Sequence, residues 1–317
     1  MKAIRIHAYG GPELMQFEDA PVPVCGAGDL LVRVVAAGVN PIDWKIRAGL
    51  MAAQLPKPFP ITLGSDAAGI VTALGGAVRG FEIGDEVFFY AEFARGGTYA
   101  EYVAVDASQV AKKPRTVSFS TAAALPIPGQ AAWTALIETA KVERGQRVLI
   151  HGGAGALGTV AVQLAKEQGA HVIATASVTA SGDGVALVKS LGADEVIDYR
   201  TQRFEQLAHE IDIVLDTLGG ATQEASWATM RKGGILVATA MPPSPERAAA
   251  AGVRAAFVFT APRGAVLAQL AQRVDDGRLR VVVGQELALA DAAQAHCLGE
   301  SGKARGKMIL HVAAPAG

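Results

Sequence analysis

Two kinds of hydrophobic pattern follow one another along the chain. From residue 1 to about 120, short β-branched runs dominate: the opening MKAIRI, LLVRVVAAGV at 30–39, AAGIVTAL at 67–74 and GDEVFFY at 84–90, set apart by Gly and Pro. Runs of this length bounded by turn formers read as strands, and their succession predicts an antiparallel, barrel-like β domain. After Pro114 the pattern changes, and FSTAAALPIPGQAAWTALIETAKV (119–142) spaces Ala and Leu at helical intervals across a proline-containing break. From about 145 an apolar strand, a glycine turn and a helical stretch recur, giving the strands RVLIHGG, HVIATAS, EVIDY, DIVLDTLGG, GILVATA and RAAFVF. Strands that alternate with helices predict a doubly wound parallel sheet, because each crossover helix covers one face. PPSPERAAAAGVR (242–254) reads as a surface loop or ragged helix, and a helix is expected at 263–276. Residues 281–312 return to strand-like text with one internal helix, too short for a domain of their own. The expected class is α/β, with a β domain at 1–120, a parallel-sheet domain at 121–262, and 263–317 as a helix and a return to the first domain.

Composition narrows the function classes. The chain has 317 residues, 50% hydrophobic and 19% charged, with a mean hydropathy of +0.28, so it has the apolar surface that folding requires. Lys and Arg number 29 against 30 Asp and Glu, a net charge of −1, which gives no general attraction to nucleic acid or anionic lipid. Cys25 and Cys297 are the only cysteines; they exclude a multi-disulfide framework and a four-cysteine zinc site, and fit a reducing compartment. The start has no hydrophobic core of signal-peptide length, and the longest apolar stretch, GILVATAM at 234–241, is too short to span a bilayer. A soluble, cytoplasmic protein is expected.

The most informative local motif is HGGAGALG (151–158), which contains Gly153-x-Gly155-x-x-Gly158 directly after the strand VLI and before the helical pattern TVAVQLAKEQ. Glycines there permit a tight turn and a close backbone approach to a pyrophosphate, while the N–H groups of Ala156, Leu157 and Gly158 at the helix start attract the anion. A second strand, HVIATAS, follows on schedule, so the loop is read as a dinucleotide site. An Asp or Glu at the end of that strand would accept hydrogen bonds from the ribose of NAD. Ser177 stands there instead, and the next acid is Asp183. NADPH is therefore the expected cofactor.

Taken together, AAGVNPIDWKIRAG (36–49), PITLGSDAAGIV (60–71), GDEVFF (84–89), VLIHGGAGALGTVAVQLAKEQGAHVIATAS (148–177), LGADEVIDY (191–199), LDTLGG (215–220) and ARGKMIL (304–310) resemble the medium-chain dehydrogenase/reductase superfamily, and more narrowly its zinc-independent quinone oxidoreductase branch. The resemblance implies a GroES-like β-barrel domain split around a Rossmann domain, with NADPH and substrate in the cleft between them, and a homodimer in which an edge strand near RAAFVF extends the sheet. Zinc alcohol dehydrogenases of the superfamily carry metal ligands where this chain has Asn40, Ser65 and Asp66. Asn and Ser are poor zinc ligands, so no metal is expected.

The resemblance also implies site residues. Asn40 lies near the nicotinamide in the zinc-independent branch, and Tyr199 matches a tyrosine that contacts the 2′-phosphate; the phosphate-binding serine is Ser177 or Ser181. Leu218, Ala240, Phe257 and Phe259 fall at strand ends that line the nicotinamide half of the site, or in plain core. Ala131 stands where the family has a threonine, which puts cofactor geometry there in question. Asp43 fits two roles: a helix cap or salt-bridge partner, or a catalytic carboxylate that orients substrate or a proton-donating water. Lys45 and Arg47 read as an exposed charged face or as partners of an anionic substrate oxygen. Tyr90, Tyr99, Asp43 and Lys45 are candidates for the proton donor, with Asp43 and Lys45 taken as the catalytic pair. His151 reads as structural rather than as a base, and His296 and Cys297 as packing or surface residues.

The expected activity is hydride transfer from NADPH to a quinone or an α,β-unsaturated carbonyl. A reductase of one specific enone or enoyl thioester, and a non-catalytic NADPH-binding sensor or interaction protein, are the alternatives.

Overall fold

The strand Asp29–Val39 organises the first half of the chain. Leu31 and Arg33 are only partly buried, whereas every residue from Val34 to Val39 is buried, so LLVRV alternates and VVAAGV does not. The difference follows from its neighbours. Along its first part it pairs antiparallel with Tyr102–Asp106, along most of its length with Asp66–Leu74, and along its last part with Lys307–His311 from the far end of the chain. Glu86–Tyr90 and Val110–Lys112 continue the sheet antiparallel on one side, and Val283–Ala288 joins Lys307–His311 in parallel on the other. A second sheet of Gln16–Asp19, Lys2–Ile6 and Ile61–Thr62 shares its core, which includes Ile4, Ile6, Val32, Val71, Phe89, Tyr99, Leu289 and Met308. Each such side chain contributes about 1.5–3 kcal/mol by leaving water. This GroES-like unit is built from Met1–Ile127, Ala261–Gly277 and the chain from Val281 onward.

The structure, a computed structural model, describes residues 1–95, 97–179, 182–302 and 306–312. Among the described residues no helix is long and apolar enough to cross a membrane.

The second unit, Pro128–Thr260 with Arg278–Arg280, holds a six-stranded sheet in the order Glu195–Asp198, His171–Ala176, Arg147–Ile150, Ile211–Asp216, Met230–Ala238, Arg254–Phe257. All neighbours are parallel. In chain order the arrangement is 3-2-1-4-5-6, the Rossmann order, whose direction reverses beside the first strand. Ile211–Asp216 is buried at every position, as a strand covered on both faces must be. Residues 242–254 are better ordered than the sequence suggests: Pro245–Ala251 is a helix. The Ser244 hydroxyl accepts from Arg247 N–H at its start, Pro245 occupies the first turn where no N–H is needed, and Gly252 closes it in the left-handed conformation.

Candidate functional site

At the carboxyl end of the parallel sheet, Arg147–Ile150 runs through the glycine turn into the helix Ala156–Glu167, whose N-cap, Gly155, supplies no side-chain acceptor. The first N–H groups of that helix are thus left to an anion. A Cβ at Gly158 would lie 2.2 Å from the carbonyl oxygen of Gly152, so only glycine lets helix and turn approach this closely. Tyr199 N–H donates to Ala176 O at 3.2 Å, which sets Ser177 and Tyr199 at adjacent strand ends. Ser177 is buried and Tyr199 is exposed. Asp183 accepts from Ala186 N–H and caps the helix Gly184–Ser190, so the first acid after the second strand is committed to a helix rather than to a ribose. This cradle fits a dinucleotide phosphate without a competing carboxylate. Leu218 and Ala240 follow the fourth and fifth strands, Phe257 ends the sixth and Phe259 lies just beyond. Leu218, Phe257 and Phe259 are exposed, so the plain-core reading of these three is set aside. Ser181 lies outside the described residues.

The other expected residues gather in the first unit around a buried polar network. Asn40 caps the short helix Pro41–Arg47. Its backbone N–H donates to Asp43 Oδ2 at 2.8 Å, the returning half of a capping box. Asp43 is more than a cap, because its carboxylate also accepts from Ser65 Oγ at 3.0 Å and from Tyr99 Oη at 3.1 Å. The Asn40 amide is fixed from both ends. Its Nδ2 donates to Asp66 Oδ2 at 3.0 Å, its Oδ1 accepts from Lys307 Nζ, and Lys307 Nζ also donates to Asp66 Oδ2 at 2.7 Å. An ammonium only donates and a carboxylate only accepts, so the amide has one consistent orientation. Gly64, at φ +91°, makes the turn into Ser65, and a Cβ there would meet the Tyr99 ring at 2.2 Å.

Burial governs the electrostatics. Desolvation raises Asp43 from 3.8 to about 6 against the pull of the Asn40 N–H and the Lys307 charge. Asp66 is raised as well, chiefly by burial, with Lys307 opposing. Tyr90 and Tyr99 are both pushed up by burial and by the nearby carboxylates.

One expectation needs correction. Arg47 is not on an exposed charged face: it is 2% exposed, with Nε donating to Gly10 O, Nη2 to Glu300 Oε1 at 2.7 Å and Nη1 to His296 Nδ1 at 3.2 Å. Its partner Glu300 lies 253 positions along the chain, which no local pattern reveals. His296 is a fully buried polar residue in that network, pushed down to about 3 by burial and the Arg47 charge. Lys45 is half-buried on the same helix as Asp43, and Cys297 is exposed. His151 is buried between Thr175 Oγ1 and Ser226 Oγ and pushed down to about 4 by burial. Ser65, Asp66 and Lys307 belong to the network although sequence reasoning assigned them no role; a lysine at the head of the apolar strand KMIL was the available signal.

Where the resemblance implies a metal set this chain has Asn40, Ser65 and Asp66, and Asp66 is paired with Lys307. Among the described residues no group of three or more His, Cys, Asp or Glu side chains is placed to hold a metal ion. A zinc ion does not fit this donor set.

A split antiparallel unit with an inserted Rossmann unit defines the architecture of a two-unit nicotinamide dehydrogenase. The alcohol dehydrogenase GroES-like domain family matches residues 26–115, and the zinc-binding dehydrogenase family matches residues 191–310. The 2-methylene-furan-3-one reductase of Solanum lycopersicum is 34% identical over 98% of this chain and 79% of its own length. Among solved structures, the quinone oxidoreductase from Coxiella burnetii superposes with a TM-score of 0.91 at 34% identity over 99% of both chains. The Escherichia coli quinone oxidoreductase complexed with NADPH gives 0.87 at 26% identity, covering 98% of this chain and all of that one. The chain belongs to the medium-chain dehydrogenase/reductase superfamily, beside its quinone oxidoreductases and enone reductases.

Proposed function

We propose that the protein is a zinc-independent, NADPH-dependent reductase of quinones or α,β-unsaturated carbonyls. The observation that carries this reading is the Asn40–Asp66–Lys307 triad: where a metal-dependent dehydrogenase needs ligands, this chain spends its carboxylate on a lysine. The nicotinamide, when bound, supplies hydride from its C4 position. Ala156, Leu157 and Gly158 would hold the pyrophosphate through backbone N–H groups, and Ser177 and Tyr199, with Ser181 as the alternative serine, would bind the 2′-phosphate. Leu218, Ala240, Phe257 and Phe259 shape the nicotinamide side. Asn40, which the resemblance implies near the nicotinamide, has its amide locked by Lys307 and Asp66, and Asp43 and Lys45 are the catalytic pair on the same helix. An apolar electron-poor acceptor suits such a site because the protein needs only to orient it and stabilise developing negative charge.

The names and NADPH complexes of the relatives support a nicotinamide reductase, and the missing acid after the second strand favours NADPH. The protein works in the cytoplasm as a homodimer, joined through the edge strand Arg254–Phe257. The test is the initial rate of NADPH and NADH oxidation by chelator-treated protein with 1,4-benzoquinone, 9,10-phenanthrenequinone and a simple enone. Turnover with NADPH well above NADH, unaffected by chelator, is the expected result. Activity that appears only on adding zinc overturns the reading, and tight NADPH binding without turnover favours a sensor.

A further inference from the structure

Behind Asp43 runs a chain of hydrogen bonds whose direction is fixed at its far end. The Arg47 guanidinium has no acceptor, so Nδ1 of His296 must accept from it and Nε2 must carry the imidazole hydrogen. Nε2 lies 3.4 Å from Tyr99 Oη, which leaves the phenolic hydrogen for Asp43 Oδ2 at 3.1 Å. Arg47 is itself held by Glu300 at 2.7 Å. This chain orients, and it does not conduct: a guanidinium does not release a proton in a protein, so no proton reaches Asp43 from that end. Protons must therefore enter and leave Asp43 by its other oxygen, where Ser65 Oγ sits at 3.0 Å. Ser65 and Asp43 share the wall of a recess of about 10 Å³ with Thr62, Lys57 and Phe93, about the room of one water position or one substrate oxygen.

We propose that the Ser65 hydroxyl delivers the proton that completes reduction of the acceptor, with Asp43 as the proton store behind it and His296, held by Arg47, as the residue that positions the store. The inference rests on the reductase reading above. In the step, the anionic oxygen of the reduced acceptor takes the Ser65 hydrogen as its O–H bond breaks, and the Asp43 carboxyl proton moves to Ser65 Oγ. Asp43 is left as a carboxylate and is reprotonated by water through the recess. One proton is consumed and no electrons move in this step. The groups that bear on Asp43 are the Asn40 N–H, Ser65 and Tyr99 in contact, and the charges of Lys307 and Asp66 nearby. Burial places its titration near pH 6, within reach of a proton donor at work near neutrality.

The experiment follows kcat against pH in H2O and D2O with NADPH and 9,10-phenanthrenequinone, alongside infrared titration of the Asp43 carboxyl in cofactor-free protein. For the active wild type, kcat falls as pH rises through the Asp43 midpoint and shows a solvent isotope effect. Ser65→Ala lowers kcat by about 100-fold and abolishes the isotope effect with NADPH affinity unchanged, while Ser65→Thr, which keeps the hydroxyl, recovers most of it. Tyr99→Phe and His296→Phe raise the Asp43 midpoint in the cofactor-free protein, because a donor to the ionised form is lost or misdirected. Active wild type with a Ser65→Ala variant within twofold of its kcat, or a Tyr99→Phe variant with an unmoved Asp43 titration, overturns the inference alone. Wild type that binds NADPH and reduces neither quinone nor enone overturns the reductase reading and this inference with it.

Discussion

Lys307 Nζ lies 2.7 Å from Asp66 Oδ2, with side-chain exposures of 2% and 0%, across 241 positions of sequence. Neither charge has water to fall back on, so each depends on the other and on the Asn40 amide between them. Removing one partner of a buried pair leaves an uncompensated charge and costs about 3–5 kcal/mol. Lys307→Met is expected to lose that much in urea denaturation, whereas Lys307→Met combined with Asp66→Asn recovers a large part. Equal losses in the single and double variants would mean that the lysine stem, and not its charge, supports the fold.

The proposed preference for NADPH rests on the end of the second strand. Ser177→Asp puts a carboxylate where a 2′-phosphate would sit and a ribose hydroxyl would be welcomed. The ratio of kcat/KM for NADPH over NADH is expected to fall by about 10-fold or more. An unchanged ratio would move phosphate recognition away from Ser177.

Two buried imidazoles contribute a stability that acid removes. His151 and His296 stand at about 4 and about 3 in the folded chain against an ordinary 6.5, so their contribution is complete above 6.5 and is lost as pH falls through that value toward the folded ones. Asp43, raised from 3.8 to about 6, acts in the opposite sense: its contribution is present below 3.8 and is lost as pH rises through about 6. Asp66, also raised by burial, acts in the same sense as Asp43. His151→Gln should remove about 2 kcal/mol of the histidine contribution lost between pH 7 and pH 5, as read from urea titrations at the two pH values.

The edge strand Arg254–Phe257 ends in an exposed Phe257, with an exposed Phe259 two residues on. A sheet edge bearing exposed aromatic side chains is a template for pairing with a second copy. Phe257→Glu is expected to shift the molar mass measured by light scattering from that of the proposed dimer toward that of a monomer. A wild-type monomer, or a variant as dimeric as the wild type, would place the interface elsewhere.

Much of this was legible along the chain. Each strand of the parallel sheet announces itself as an apolar run closed by a glycine or a polar residue, and Gly153, Gly155 and Gly158 carry their context with them. The network around Asp43 was not legible, because its members are spread from Asn40 to Lys307, with hydrogen-bonded partners from 22 positions apart for Ser65 and Asp43 to 267 for Asn40 and Lys307. Arg47 sits two residues after Lys45 and looks like a second solvated charge; only Glu300 and His296, on the helix Ala292–Glu300, make it an interior residue. Asn40 and Asp43 were found because a familiar segment carried them, while Ser65, Tyr99 and His296 acquire their role from distances alone.

The Asp66 counter-charge also sets an order of assembly. Asp66 and Asn40 leave the ribosome early, and the strand that brings Lys307, Lys307–His311, emerges after the whole of the second unit has been made. Until then the first unit has a carboxylate at its centre with no Lys307 to meet it, and the place beside Ala36–Val39 is an open sheet edge. The inserted unit can fold on the growing chain, but the unit that began first is the last to close.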